Sequence, residues 1–433
     1  MNFFVKFLDE KLSQPMARLS TQRHLQAVRD GIIATLPLIV VGSFFLIIAA
    51  PPLPESWKIT MTLKANAGTI LLPYRVTVTI MSVYAAFGIG YSLAESYKLD
   101  GLSGGILATI AFLSTIIPIN VPADVAAAAN IPNFAGGWHL PANNLGGAGM
   151  FVAIVTSLLA VEIFRLADKS GLKISMPDAV PPSVARSFEA LVPTALVMLL
   201  FGGLTYFIGF RWHEVMMNLV RPLVNASDSL VSVLILVLLI TLFWSFGIHG
   251  VSIVGTLARP IWLVLFEANT DAAAAGIAGS ALPAIAAEPF FQWFIWIGGS
   301  GATLGLAIAM AFFSKSAYSK ALGKTGFAPA LFNINEPIIF GAPIVLNPIL
   351  IVPFITAPMV MAVVAWFATS LGFVNRVSVT PPWTLPGPIG AFLATNDWRA
   401  GVLSVILILI SFAIYYPFFR IYDNNLLKEE QEN

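Results

Sequence analysis

The sequence predicts an all-α polytopic membrane protein of about ten transmembrane helices, with re-entrant elements and amphipathic interfacial helices. Three observations lead there. Of 433 residues, 58% are hydrophobic and only 10% are charged, whereas a water-soluble domain carries about 25% charged residues. Apolar runs recur at the length a bilayer demands, about 20 residues rising about 1.5 Å each. In the C-terminal half, several apolar segments are cut by proline and glycine and are too broken to be simple spans.

The first thirty residues lack the apolar core and small-residue cleavage site of a signal peptide. Phe3, Phe4, Phe7, Leu8 and Leu12 share one face at helical spacing, so 1–30 reads as an amphipathic helix lying on the membrane surface. Expected spans follow at 31–50, 71–94, 104–119, 149–166, 190–210 and 230–247. Between the last two, "FRWHEVMMNLVRPLVNASDSL" alternates apolar and polar residues at helical spacing and predicts an interfacial helix. After His249 the apolar segments lie at 281–297, 299–313, 327–346, 349–369, 380–393 and 400–419. Among them, "ALPAIAAEPFFQWFIWIGG", "LFNINEPIIFGAP" and "TPPWTLPGPIGAF" are read as re-entrant hairpins or broken helices. Irregular backbone survives at bilayer depth only where protein or a wet cavity satisfies its polar groups. In transporters such segments line the substrate site; an ordinary proline kink is the plainer alternative for any one of them.

Orientation follows the positive-inside rule. Lys6, Lys11, Arg18, Arg23 and Arg29 precede the first span, while the connection 120–147 holds no Lys or Arg. Arg165, Lys169, Lys173 and Arg186 follow the fourth span, and Lys315, Lys320 and Lys324 form a later basic cluster. Both termini are expected in the cytoplasm. The chain divides into an N-terminal segment 1–30, a regular scaffold 31–210 carrying spans 1–5, a linker helix 211–229, and an irregular substrate-handling part 230–433.

Glu336 stands before Pro337, which disfavours helix in the residue preceding it. An ionisable group at membrane depth is a functional-site hypothesis by default, against the alternative that it caps a helix at the interface. Asn333 and Asn335 add donors and acceptors for a polar ligand. His249 lies between Gly247 and Gly250; a neutral imidazole donates and accepts at once, which suits a sugar hydroxyl, although lone histidines often satisfy only a backbone group. Trp244 and Trp383 are the rings best placed to stack on the C–H face of a pyranose, with interfacial anchoring as the alternative. Glu288, before Pro289, competes with Glu336 for the acidic role. Asn143 and Asn144 precede the small-residue run "LGGAGMF", which suits close packing or close ligand approach.

A near-neutral net charge and the lack of a basic patch argue against nucleic acid as a partner. The chain has no cysteine, hence no disulfide, thiolate metal site or cysteine nucleophile. His24, His139 and His213 have no ligand spacing with His249, and neither a metal nor a cofactor is expected.

The segments "RHLQAVRDGIIATLPLIVVGSFFLI", "FWSFGIHG", "NINEPIIFG" and "PPWTLPGPIGAFLATNDWRA" together resemble the IIC membrane component of the bacterial phosphoenolpyruvate:sugar phosphotransferase system, in its lactose, cellobiose and diacetylchitobiose group. The resemblance implies a homodimer in the bacterial cytoplasmic membrane, with spans 1–5 at the dimer interface. Later spans with two re-entrant hairpins would carry a disaccharide across by an elevator-like movement. It implies that His249 and Glu336 bind the sugar, that Trp244 and Trp383 stack on it, and that Glu336 lies by the hydroxyl to be phosphorylated. It also implies that Asn143 or Asn144 matches a family asparagine. The phosphoryl donor in that family is a phosphocysteine on the soluble IIB component, charged through IIA. A cysteine-free chain therefore needs IIB as a separate partner, which leaves open whether the chain by itself counts as an enzyme. Two rivals remain: a proton-coupled sugar symporter with Glu336 as the titrating group, and an ion channel with the broken segments as its filter.

Overall fold

Seven helices among the described residues are long and apolar enough to cross a bilayer: Arg23–Ala49, Leu72–Ser96, Gly147–Lys169, Val184–Phe207, Gly250–Ala274, Pro348–Ser370 and Trp398–Glu432. They come from a computed structural model that describes residues 22–432 apart from positions 50, 52, 54, 55, 130, 132, 133, 178, 179 and 346. Most of the surface helix expected at 1–30 thus lies outside the described residues. Two further helices, Trp212–Ser227 and Leu230–Ser245, form a bent pair that meets at 83° and is apolar enough, counted as one span, to make an eighth. The bend falls at Asp228 and Ser229; extended backbone at Ser229 lets its hydroxyl accept the Ser232 N–H and start the next helix. Two shorter apolar helices, Gly101–Leu113 and Leu304–Phe313, add to these.

The Gly250–Ala274 helix corrects the sequence-based expectation, which placed no span between 247 and 281. Arg259, Pro260, Glu267 and Asp271 interrupt its apolar run. Those groups are answered inside the protein rather than by water: Arg259 pairs with Glu288, and Asp271 accepts a hydrogen bond from the Tyr74 hydroxyl at 3.2 Å.

The chain forms two compact units, one of Thr21–Ile39 with Arg75–Pro222, the other including Val40–Tyr74 and Leu223–Asn433. In the first, Met81–Ser96, Gly101–Leu113 and Met150–Lys169 pack around Phe112, Ile116, Val152 and Ala153 and around Leu107, Ala160, Val197 and Phe201. The connection 119–139 is pinned by a short antiparallel ribbon, Ile119–Val121 against Gly137–His139.

In the second unit, the segments expected to be broken are broken. After Gly279–Ala281 the chain runs irregularly to a seven-residue helix, Glu288–Phe294, then through Gly298–Gly299–Ser300–Gly301 to Leu304–Phe313. The Asp228 carboxylate accepts the Ile285 and Ala286 N–H groups at 2.9 and 2.7 Å, and Asn269 brackets Ala284 and Val377. At the far end, Ser411 and Tyr415 donate to the carbonyls of Ala302 and Gly301 at 2.6 and 2.7 Å. Side chains thus replace the helical ladder for this first hairpin, as a bilayer requires.

The second hairpin is Ala317–Leu331, a turn at 332–335, and Glu336–Gly341. Its base is tied down by acids of the C-terminal helix. Asp423 accepts from the Ser314 hydroxyl and the Lys315 N–H, and Glu430 accepts the N–H groups of Ala317 and Tyr318, both at 2.9 Å. The Tyr318 hydroxyl closes the base on the Gly341 carbonyl, also at 2.9 Å. The third broken segment runs irregularly from Asn375 to Pro386, with a turn closed by the Leu385 N–H on the Pro382 carbonyl at 3.1 Å, before a nine-residue helix, Gly387–Thr395.

Candidate functional site

The tips of the two hairpins meet at Asn333 and Asn335. Asn333 sits in the left-handed region, φ +63°, which a short polar side chain tolerates. Its Oδ1 accepts the Gly298 N–H at 2.8 Å, and its Nδ2 donates to the carbonyls of Trp383 and Leu385 at 2.8 and 3.0 Å. Asn335 Nδ2 donates to the Ser300 carbonyl at 2.7 Å. Gly299 must be glycine here, because a Cβ would stand 2.4 Å from the Asn335 amide. One asparagine therefore joins all three broken segments, and its amide is consumed in doing so.

Directly after that bracket, Glu336 begins a short helix with Pro337 in its first turn. The Pro ring supplies no N–H, which costs nothing at that position. Glu336 is exposed and makes no hydrogen bond or ion pair with the described residues. Its competitor is spoken for. Glu288 receives Arg259 in a bidentate pair, with Nη2 at 2.7 Å and Nε at 3.0 and 3.1 Å from the two oxygens.

His249 is the residue before the Gly250–Ala274 helix and caps it: Nδ1 accepts the Ser252 backbone N–H at 3.2 Å. An amide N–H can only donate, so Nδ1 carries no proton and the neutral ring must bear it on Nε2. The ring is exposed and close enough to Glu336 to feel its charge. Beneath it lies Trp244, ring centroids 4.5 Å apart, and Trp244 in turn touches Phe340 at 6.4 Å. Trp244 is only 4% exposed and its buried Nε1 has no acceptor among the described residues, so it supports the imidazole more than it offers an open face. Trp383, held at its carbonyl by Asn333, is 54% exposed.

The turn that delivers His249 depends on glycine. Gly247 has φ +77°, and a Cβ on Gly250 would sit 2.1 Å from the Ile240 carbonyl oxygen. Gly250→Ala is expected to destabilise the protein by about 1–3 kcal/mol, the usual cost of overpacking, seen as a lower melting temperature in detergent and weaker ligand binding.

His249, Trp244, Asn333, Asn335, Glu336 and Trp383 all belong to one unit. Asn143 and Asn144 belong to the other, in a short 3-10 turn; Asn143 is exposed, and a Cβ on Gly149 would collide with the Asn144 carbonyl at 1.9 Å. The small residues after them thus serve close packing.

A profile of the family described as "Phosphotransferase system, EIIC" matches residues 29–358. The chain belongs to the EIIC family. Its relatives include the Lichenan permease IIC component of Bacillus subtilis, 40% identical over 100% of this chain and 96% of that one. The PTS system cellobiose-specific EIIC component of Geobacillus stearothermophilus is also 40% identical, over 100% and 97%. A lactose-specific EIICB component of Staphylococcus haemolyticus is 32% identical over 100% of this chain and 73% of its own length. Among solved structures, the transporter ChbC, the IIC component from the N,N'-diacetylchitobiose-specific phosphotransferase system, superposes with a TM-score of 0.89 at 35% identity, covering 98% and 99% of the two chains. EIIC components are multi-pass membrane proteins that work with a sugar and with IIB and IIA partners. What the sequence did not reveal in this EIIC chain is Arg259, the ion partner of Glu288. Its only signal was a cation next to a proline within an otherwise apolar stretch.

Proposed function

We propose that this EIIC protein binds a disaccharide of the cellobiose, diacetylchitobiose or lactose type and presents its 6-hydroxyl to phosphorylated IIB. The observation that carries the reading is the opposed hydrogen-bonding of two neighbours. Ionised Glu336 can only accept, and the exposed Nε2–H of neutral His249 can only donate. A hydroxyl answers both at once. As the sugar oxygen attacks phosphorus, the S–P bond of the IIB phosphocysteine breaks, the O–P bond forms, and the hydroxyl proton passes toward Glu336. Positioning supplies most of the acceleration, since phosphoryl transfer asks little covalent work of the protein. The product carries charge beside a carboxylate, which favours its release. Asn333 and Asn335 act through the hairpin tips, Trp244 supports His249, and Trp383 offers the stacking surface.

The same reading takes the protein as a homodimer with cytoplasmic termini, moving sugar by an elevator-like displacement of its hairpin-bearing unit. Its direct test is a panel of cellobiose, diacetylchitobiose and lactose with purified protein, first for binding and then for phosphorylation by phosphorylated IIB. Uptake driven by a proton gradient without IIB would replace the reading with a symporter.

His249→Asn separates cap from ligand contact. Asparagine is a preferred N-cap, so the melting temperature should stay near wild type. The Nε2–H is lost, and affinity should fall roughly tenfold or less, the worth of one neutral hydrogen bond. Unchanged affinity in equilibrium binding would remove His249 from the site.

A further inference from the structure

The hairpin that ends in Glu336 carries positive charge that it does not balance. From Ser314 to Asn335 there are three lysines, Lys315, Lys320 and Lys324, and no acid. All three are exposed, and none makes an ion pair with the described residues. The two carboxylates that reach this stretch are spent on its backbone and hydroxyls. Asp423 accepts the Lys315 and Ser316 N–H groups at 2.8 and 3.2 Å as well as the Ser314 hydroxyl. Glu430 accepts the Ser316 hydroxyl at 2.6 Å and the N–H groups of Ala317 and Tyr318. The ammonium groups are left for a partner from outside. On the Ala317–Leu331 helix, Lys320 and Lys324 stand four residues apart and share one face, where the exposed residues between and beyond them, Ala321 and Ala328, are small. The opposite face is buried, and so close to its neighbour that a Cβ on Gly323 would stand 2.4 Å from the Ala311 amide nitrogen. The lysines therefore cannot turn inward. Lys324 lies about 10 Å along the helix axis from Leu331, after which the chain turns to Glu336, so the row runs from the base of the hairpin toward its acid.

A phosphoryl group carries roughly 1.5 to 2 negative charges near neutral pH, and one that comes to the sugar must approach the Glu336 carboxylate, which repels it. Arg259, a cation of the same unit, is already matched by Glu288. We propose that the lysine face of the second hairpin is the docking surface for phosphorylated IIB. The positive-inside rule assigns this cluster to the cytoplasm, where a soluble partner arrives. Its ammonium groups draw in the phosphoryl-bearing face of IIB and offset the repulsion from Glu336. The inference rests on the assignment of Glu336 to the sugar hydroxyl and of IIB as the donor.

The test is steady-state phosphorylation of bound sugar by phosphorylated IIB, with the purified protein in phosphatidylcholine vesicles. Wild type is compared with the triple change Lys315→Gln, Lys320→Gln and Lys324→Gln. The KM for IIB is expected to rise about tenfold and to lose most of its dependence on salt, while kcat and sugar affinity stay within about twofold. Arginine at the same three positions should return the KM toward wild type. An unchanged KM for IIB would overturn the docking surface. So would a loss of sugar affinity equal to the rise in KM, which would make the lysines a prop for the hairpin. A difference that appears only once phosphatidylglycerol is added would overturn it too, by giving the lysines to anionic lipid headgroups. Should the triple variant fail to fold, Lys324→Gln alone reads the same contrast, with a rise of about threefold. Wild-type protein that binds sugar but takes no phosphoryl group from IIB would sink the assignment of the donor itself, a failure distinct from variants that match a working wild type.

Discussion

Glu336→Gln should fold and assemble as wild type yet lose phosphorylation of bound sugar by about 10²- to 10⁴-fold, the range general-base groups contribute. The fold is safe because Glu336 is exposed and bonds to none of the described residues, so no internal partner is orphaned. The chemistry is not safe, because an amide is far too weak a base to take the hydroxyl proton. Glutamine also turns an N–H group toward the sugar, replacing an obligate acceptor with a mixed donor and acceptor. Binding should weaken less than turnover, since His249 and the stacking surface persist. Glu336→Asp, which keeps the base but withdraws it by one methylene, should fall between. The measurement is single-turnover phosphate transfer from phosphorylated IIB, with size-exclusion profiles as the folding control. Transfer at the wild-type rate in Glu336→Gln would remove the carboxylate from the reaction.

The sequence exposed the breaks in the backbone because proline acts locally: Pro289, Pro337 and Pro388 each stand in the first turn of a new helix, where the missing N–H is tolerated and the preceding residue is turned away from helix. It also isolated Glu336 and His249, since a charge or an imidazole stands out in an apolar run. What it hid was pairing at long range. Asn333 looked like a ligand amide, but its partners lie 35, 50 and 52 residues away, and no spacing rule reaches that far. The Gly250–Ala274 span was hidden for the same reason. Arg259 reads as a break in hydropathy until Glu288, 29 residues on, is seen to neutralise it. That pairing also decides between the two Glu–Pro acids: Glu288 meets a cation, whereas Glu336 remains available.

Replacing Asn333 tests whether the site depends on a residue that does not itself contact sugar. Asn333 is 8% exposed, and its removal strands the Gly298 N–H and two carbonyls, at about 1–3 kcal/mol for each group left buried without a partner. Water entering the tip would reduce the sum, so a loss of several kcal/mol is the upper expectation. Alanine confounds this with strain, because φ +63° costs an ordinary L-residue about 1–2 kcal/mol. Asn333→Gly adopts the same backbone freely and removes only the hydrogen bonds. It should lower the melting temperature and, by letting the tips part, reduce sugar affinity about tenfold or more. Asn335→Ala, which gives up one bond to Ser300, should show the same pattern more weakly. The decisive comparison is thermal stability against affinity across both variants. If Asn333→Gly melts like wild type while binding is lost, the amide acts on the ligand directly and the three-segment bracket is not what orders the site.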